Sequence, residues 1–378
     1  MTQRLVLHVG PLKTGTTYLQ AGFQQRRDTL AEHGWLYPGS VLNQEKAFFG
    51  LIGGAVPWVS PELQAEKAAQ GEALISQVNA WDGPVLVSAE ALCSVVDEDV
   101  KRVTDFFPDR PVRVVVTGRD LGRLLPSHIT QVYKTGNAEG LTPFLQRVTD
   151  QRPGREGEFW RMHDLPALVA RWQALDVVDE VVLVTLPRSG GSPDALWARF
   201  VEAAGWTEPD LVAAPEVPPS EANLALTGPE TRLVRTLNLE MRRQGKDSRY
   251  ARRLISTILH EGLAKRDPSE RGERVLVPAS WRETLEGWAE EDIAALRGMD
   301  LRVVGDLDDL RPQSIAKEDV DASAVTPQEQ DSLQAAAVAL IAAHDDALNA
   351  YSRPVRNVIV KQSASSLTTR VKRLVRRR

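Results

Sequence analysis

The feature that most constrains the fold is the stretch of residues 5–20, in which a buried strand pattern runs into a loop of small residues and then into a helix start. Leu5 to Val9 is a nearly continuous apolar run, which is typical of a central parallel strand. Gly10 and Gly15 let the backbone approach an anion closely, because glycine has no side chain in the way. A helix start also presents free N–H groups, so this stretch predicts a phosphate-binding loop in an α/β fold.

The candidate loop residues are Lys13, Thr14, Gly15, Thr16, Thr17 and Tyr18, of which Lys13 carries a positive charge and the threonines and the tyrosine carry hydroxyl groups. In the nucleoside-triphosphate loop of ATPases and kinases, lysine directly follows the last glycine, whereas Lys13 precedes Gly15 by two positions. This spacing weakens the case for an ATP-binding loop. A structural alternative stays open, in which Gly15 and the threonines cap the helix and Lys13 is exposed.

A second strand pattern, residues 112–118, runs directly into Arg119, and Ser127 follows eight positions after this arginine. Arg119 is expected at the carboxyl end of a parallel strand, where open α/β sheets bind ligands and where arginine can bind phosphate. We expect Pro126 to be the first residue of a helix, which leaves the Ser127 hydroxyl and N–H free for the same phosphate. The structural alternative is an Arg119–Asp120 ion pair with Ser127 inside a helix.

Together and in this order, the two motifs resemble those of bacterial sulfotransferases that use 3′-phosphoadenosine 5′-phosphosulfate (PAPS), and the resemblance covers roughly residues 1–210. It implies a P-loop-type three-layer α/β fold, with a central parallel sheet flanked by helices and a helical C-terminal region. It also implies the donor-binding residues: Lys13, Thr14, Gly15, Thr16 and Thr17 for the 5′-phosphosulfate, Tyr18 for the adenine, and Arg119 with Ser127 for the 3′-phosphate. One departure is Leu12, which separates Pro11 from Lys13 where the family usually has proline next to lysine.

The resemblance therefore predicts transfer of a sulfuryl group from PAPS to a hydroxyl or amine of a carbohydrate, lipid or small metabolite. Lys13 is expected to stabilise charge on the leaving phosphate oxygen. The motifs do not identify the general base, for which Glu90, His128 and His163 are candidates. Two other functions stay open, namely a P-loop kinase-like enzyme and a catalytically inactive nucleotide-binding protein.

Each further candidate has a structural alternative. Glu90 ends the strand pattern 85–90 and either reaches the reacting oxygen, caps the next helix or pairs with a neighbouring basic residue. His163 is followed by Asp164, and this pair is either an oriented base or a helix cap. Arg188 lies in a loop after another strand pattern and either contacts the nucleotide or is an exposed turn residue.

Composition excludes several other classes of protein. The chain has 378 residues, of which 42% are hydrophobic, so it can bury one large core or two modest ones. The single Cys93 excludes disulfides within the chain, and the six histidines are too scattered for a metal site. No apolar run approaches the length of about 20 residues that a membrane span needs. We therefore expect a soluble cytoplasmic protein without a metal or a nucleic-acid partner.

The chain is expected to divide into a core, a helical extension, a connector, a C-terminal helix and a basic tail, at residues 1–215, 216–311, 312–327, 328–351 and 352–378. The net charge of −5 conceals the tail, because residues 353–378 hold nine Lys or Arg and no Asp or Glu. We expect this segment to be a disordered cationic tail. The alternative is weak peripheral contact with the inner face of a membrane, because residues 367–378 have the periodicity of a basic amphipathic helix.

Overall fold

The computed structural model describes residues 3–352 except 57, 109, 193, 217–224, 263–265 and 268–270. In this part of the chain, five strands form one sheet in the order β2-β1-β3-β4-β5, and all neighbouring strands are parallel. The strands are β1 (Leu5–His8), β2 (Val85–Ser88), β3 (Val112–Gly118), β4 (Val178–Thr185) and β5 (Arg302–Val304). The predicted α/β fold with a central parallel sheet is confirmed, whereas the predicted basic tail lies, beyond Ser352, outside the described residues.

Helices connect the strands and make up most of the C-terminal half. They are α1 (Thr16–Gln25), α2 (Arg27–Glu32), α3 (Glu45–Ile52), α4 (Pro61–Asn79), α5 (Asp97–Asp105), α6 (Leu121–Tyr133), α7 (Leu141–Gln151), α8 (Gly157–His163), α9 (Leu165–Gln173), α10 (Ala195–Ala204), α11 (Pro209–Val212), α12 (Gly228–Arg243), α13 (Ser248–Thr257), α14 (Arg282–Arg297) and α15 (Pro327–Ser352). A 3₁₀ segment, Glu90–Ser94, follows β2. Among the described residues, no helix is long and apolar enough to cross a membrane.

Both faces of the sheet are buried. Successive side chains of a strand point to opposite sides, so β1 contributes to a core on each face. Leu5 and Leu7 of β1 pack in a core with α3, α4, α5, α9 and the end of α14. Val6 packs on the other side with α1, α2, α10 and α11. Helices therefore cover both faces, and the predicted three-layer arrangement is confirmed.

A third core lies outside the sheet and joins α6, α7 and α8 to α12, α13, α14 and α15. Helix α14 belongs to two cores, since Trp288 packs in the third core and Ile293 packs beneath the sheet. Strand β5 also comes from the segment predicted as a helical extension, and it pairs with β4. The C-terminal region thus completes the sheet as well as adding a helical layer.

The strand order creates a switch point between β1 and β3. Strand β1 pairs with both β2 and β3. From β1 the chain crosses to β2 on one side of the sheet, and from β3 it crosses to β4 on the other side. Ligands of open parallel sheets bind beyond the carboxyl ends of the strands at such a point. Lys13 follows β1 and Arg119 follows β3, so the fold places the two predicted motifs next to each other.

Helix α6 begins earlier than predicted. The Asp120 carboxylate accepts a hydrogen bond from the Arg123 N–H at 3.0 Å, which makes Asp120 the N-cap and Leu121 the first helical residue. Pro126 therefore lies inside the helix rather than at its start, where it removes one backbone hydrogen bond. Ser127 consequently lies in the second turn of α6, and the prediction that Pro126 opens the helix is wrong.

The sequence pattern of residues 40–60 predicts a loop, but this segment contains helix α3. Its start is fixed by a long-range contact, because the Gln44 N–H donates to the Ser88 carbonyl at 3.1 Å and the Ser88 N–H donates to Gln44 Oε1 at 2.8 Å.

The sequence pattern of residues 18–33 predicts one helix, but this segment forms α1 and α2 with a break at Arg26. The Arg26 side chain donates to the Asp210 and Ala213 carbonyls. Both differences thus arise where contacts distant in sequence are made.

A buried ion pair connects the turn after α7 to α14. The guanidinium of Arg152 lies 4.7 Å from the ring centre of Trp160 and 5.5 Å from that of Trp288. It donates to the Asp292 carboxylate at 2.9 Å, and Asp292 has one further arginine partner, Arg155, at 3.1 Å. The Arg152 side chain is only 7% exposed, so this pairing compensates a charge that is largely removed from water.

We expect Arg152→Leu to lower the free energy of unfolding by about 3 kcal/mol, because it leaves Asp292 buried with only one arginine partner. Arg102→Leu is the control, since it removes an exposed pair with Asp99 and should cost less than about 1 kcal/mol. Urea denaturation of the two variants measures both effects. Equal losses would show that the buried pair contributes no more than a surface pair.

Candidate functional site

The loop after β1 has an uncommon backbone shape. Gly10, Lys13 and Gly15 have positive φ angles of 87°, 68° and 84°. A Cβ atom on Gly10 would lie 3.1 Å from the Cβ of Glu90, and one on Gly15 would collide with the side chain of Leu196. This backbone shape therefore favours glycine at positions 10 and 15. Lys13 adopts a left-handed conformation that costs a non-glycine residue roughly 1–2 kcal/mol.

Threonine hydroxyls attach this loop to β3. Thr117 donates to the Gly10 carbonyl twice, from its N–H at 2.7 Å and its hydroxyl at 2.9 Å. The Thr14 hydroxyl contacts the Pro11 carbonyl and the Thr117 hydroxyl, each at 2.5 Å, and Thr14 is fully buried. The side chain of Thr14, a predicted donor-binding residue, thus maintains the loop rather than facing a ligand.

The N-terminus of α1 faces the end of β2. Gly15 is the N-cap residue, and no side chain caps this helix in the described structure. The buried Thr16 hydroxyl donates to the Glu90 carboxylate instead. The helix start therefore offers backbone N–H groups, among them those of Gly15 and Thr16, to which an anion can bind.

Lys13 extends from the loop towards α6, where its Nζ donates to Gln131 Oε1 at 3.2 Å. Burial lowers the pKa of Lys13 to about 8, and the nearby positive charges of Lys134 and Arg119 act in the same direction. The carboxylate of Glu90 opposes this shift. Lys13 is thus a partly desolvated cation in contact with α6, at the switch point of the sheet.

Arg119 makes a direct bond between the two motifs. Its Nη1 donates to the Lys13 carbonyl at 2.8 Å, while its Nε is buried and has no hydrogen-bond partner among the described residues. Burial lowers the pKa of Arg119 to about 10, and Arg123 and Arg274 add repulsion between like charges. This arginine therefore carries both an unsatisfied donor and an excess of positive charge around it.

A cleft of about 460 Å³ opens beside Arg119 and is lined on one side by α6, including Ser127 and Thr130. Its other side is formed by residues 225–227 and 271–276. Ser127 lines the cleft although it lies within a helix, so both residues of the predicted 3′-phosphate pair border the same space.

Three further arginines line this cleft, and none of them was identified from the sequence. Arg123 is paired with Asp120, and Arg271 is paired with Glu230 at 2.8 Å. Arg274 is exposed, and an isolated bridge between Thr227 and Arg274 determines its position. Arg271 and Arg274 lie on opposite sides of Gly272, in a stretch without strand or helix periodicity, and this is their only signal in the sequence.

Glu90, the carboxylate that acts on Lys13, has a second carboxylate, Glu45, as a neighbour. Burial raises the pKa of Glu90, against the opposing effects of the Thr16 hydroxyl and of Lys13. Glu45, the first residue of α3, also has a raised pKa, to about 7, because of burial and the charge of Glu90. Glu45 was missed in the sequence because the helix that positions it was predicted as loop.

His128 and His163, two alternative candidates for the base, form one pair. The Nδ1 atom of His128 lies 3.2 Å from the Nε2 atom of His163. The His128 ring stacks on Phe144 at 5.7 Å and meets the edge of Phe159 at 5.2 Å. Asp164 caps α9 by accepting from the Ala167 N–H at 3.1 Å, so its carboxylate has the structural role that the sequence left open.

Two predicted nucleotide contacts lie apart from the cleft-lining residues. Tyr18 packs against the core formed with α1 and α10, and burial raises the pKa of its hydroxyl. Arg188 is exposed and donates to the Asp308 carbonyl at 3.0 Å, while its neighbour Ser189 lines the cleft. Of the predicted site residues, the structure brings together, beyond the carboxyl ends of the strands, Lys13, Thr16, Glu90, Arg119, Ser127 and His128.

No family model matches the chain, and no curated protein matches it. The geometry and the charges of the site are therefore the basis for its chemistry.

The charge balance around Lys13 is measurable. We expect the Lys13 amino group to titrate near pH 8, and we expect Glu90→Gln to lower that pKa further, because the carboxylate favours the charged ammonium form. The measurement is ¹³C NMR of dimethylated lysines, in which Lys13→Arg identifies the resonance. An unchanged pKa in Glu90→Gln would show that Glu90 is uncharged in the free protein.

Proposed function

We propose that this protein is a PAPS-dependent sulfotransferase, which moves a sulfuryl group to a hydroxyl or amine of a carbohydrate, lipid or small metabolite. One observation carries the proposal: the hydrogen bond of 2.8 Å from Arg119 to the Lys13 carbonyl joins the two phosphate motifs at the switch point of the sheet. A donor with a phosphosulfate at one end and a 3′-phosphate at the other needs two anion sites at neighbouring positions.

The distribution of charge supports this donor. Lys13 and the N-terminus of α1 would hold the phosphosulfate, while Arg119, Ser127 and Arg274 surround the space for the 3′-phosphate. A cleft of about 460 Å³ lies within the usual range of small-molecule sites. Burial, with a smaller effect of neighbouring cations, lowers the pKa values of Lys13 and Arg119, so a bound anion would favour their charged forms.

The chemistry then divides between two residues. The acceptor oxygen or nitrogen attacks sulfur, the bond from sulfur to the leaving phosphate oxygen breaks, and Lys13 stabilises the negative charge that grows on this oxygen. Glu90 takes the acceptor proton. Its raised pKa makes it a stronger base than an exposed carboxylate, and the Thr16 hydroxyl fixes its orientation.

Thermal unfolding with ligands tests the proposal. The desulfated product, adenosine 3′,5′-bisphosphate, should raise the unfolding midpoint by roughly 3 °C or more at saturation, whereas ATP with Mg²⁺ should not. Stabilisation by ATP alone would favour a P-loop kinase. Binding of the product without transfer from PAPS to any acceptor would identify an inactive nucleotide-binding protein.

The arginine of the second motif should contribute to affinity rather than to the chemical step. We expect Arg119→Ala to raise the donor KM by about tenfold or more with little change in kcat, because the 3′-phosphate does not react. The matched control is Arg102→Ala, an exposed arginine of α5, which should leave the donor KM unchanged. A loss confined to kcat would place Arg119 at the reacting centre.

Glu90→Gln should retain affinity for the bisphosphate and lose at least about 100-fold in kcat, because the amide keeps the shape but cannot accept a proton. Calorimetric binding and transfer of radiolabelled sulfate measure these two properties separately. Activity close to that of the unaltered protein would move the base to another residue.

A further inference from the structure

The histidine pair has a feature that the proposed function does not use. Both rings are largely enclosed by aromatic side chains, and His163 is only 3% exposed. One nitrogen of each ring faces the other histidine at 3.2 Å. The second nitrogen of His163, Nδ1, is buried and has no hydrogen-bond partner among the described residues.

His128 contacts His163, and the charge of Lys13 acts on His128. Residues three positions apart share a face of a helix, so His128 and Gln131 project from the same side of α6. Gln131 on this side accepts the hydrogen bond from Lys13 Nζ at 3.2 Å. After burial, the charge of Lys13 contributes to the lowered pKa of His128. For His163, burial and the neighbouring His128 lower the pKa.

The unpartnered nitrogen decides where the protons lie. A neutral imidazole has one N–H and one bare nitrogen, and the pair shares one hydrogen bond. If His128 Nδ1 donated that bond, His163 would keep a buried N–H at Nδ1 without an acceptor. Buried N–H groups without a partner are rarer than buried acceptors without one. The favourable arrangement is therefore His163 Nε2–H donating to His128 Nδ1, which places the proton of His128 on Nε2.

We propose that His128 is a neutral hydrogen-bond donor in the reaction rather than its base, that its Nε2–H contacts an oxygen of the sulfuryl group beside Lys13, and that His163 is the positioning residue that fixes this tautomer. This inference rests on the proposed sulfotransferase function. It leaves Glu90 as the proton acceptor among the three candidates.

The surroundings of His128 are consistent with a neutral ring. Burial lowers the pKa of His128 to about 4, and the positive charges of Lys13 and Arg147 add to this effect. At pH 7 the ring is thus uncharged, and only its tautomer decides whether it donates or accepts. A neutral donor beside Lys13 strengthens the anion site without bringing in another full charge.

Nitrogen NMR of the histidine rings tests the tautomer without any ligand. In ¹⁵N-histidine-labelled protein at pH 7, we expect both His128 and His163 to carry their proton on Nε2, with resonances identified by His128→Asn and His163→Asn. A proton on Nδ1 of His128 would overturn the proposal and restore His128 as a candidate base.

Two substitutions separate positioning from a general structural role. His163→Gln retains an amide N–H that can donate to His128 Nδ1, and we expect His128 to keep its Nε2 proton. His163→Phe removes the donor, and we expect His128 to lose its single-tautomer pattern and populate both forms. An unchanged tautomer in His163→Phe would exclude the positioning role, and thermal unfolding confirms that both variants are folded.

The contact with the sulfuryl group is tested by adding PAPS to the labelled protein. We expect the His128 Nε2–H resonance to shift, and the ring of His344, which packs on Tyr250 in the third core, to stay unchanged. If PAPS binds by calorimetry and His128 does not respond, the contact is excluded. If PAPS does not bind at all, the proposed function fails together with the contact, while the tautomer is still decided by the spectrum without ligand.

Discussion

The hydrogen bonds from Thr117 to the Gly10 carbonyl connect the two halves of the site. They fasten the loop after β1 to the last residues of β3, and the buried Thr14 hydroxyl closes the same network. With the loop fixed there, Lys13 can hold its left-handed conformation, point its side chain at α6 and offer its carbonyl to Arg119. A loop without this attachment would release Lys13 from both contacts, because a positive φ is unfavourable for lysine unless surrounding contacts hold it.

The free site stores electrostatic repulsion. Lys13 and Arg119 are both largely desolvated, and further cations act on each of them. Glu90 at Lys13 and Asp120 at Arg119 oppose these effects but do not offset burial, and Asp120 is also paired with Arg123. Such a region contributes little to stability by itself. Its arrangement has a clear advantage for binding a polyanion, because the cost of assembling the cations is met during folding rather than during binding.

Sequence patterns predicted the parts of this structure that depend on local signals. The strand-loop-helix unit around Lys13 and the strand before Arg119 carry their own periodicity, and both were found. Glu45 and Arg274 were not found, because contacts far along the chain position them: Gln44 with Ser88, and Thr227 with Arg274. No local pattern records such contacts. The start of α6 was misplaced for a different reason, since a proline suggested a boundary that the local cap at Asp120 overrides.

The position of β5 has a consequence for the order in which the chain is made. β5 is the outer strand beside β4, yet it is translated more than a hundred residues after β4. At about 5–20 residues per second, ribosomal synthesis leaves the outer edge of β4 without its neighbour for on the order of ten seconds. An unpaired strand edge attracts other strands. The nascent chain therefore passes through an interval in which the outer edge of β4 is open to association, and slower translation of residues 186–301 lengthens that interval.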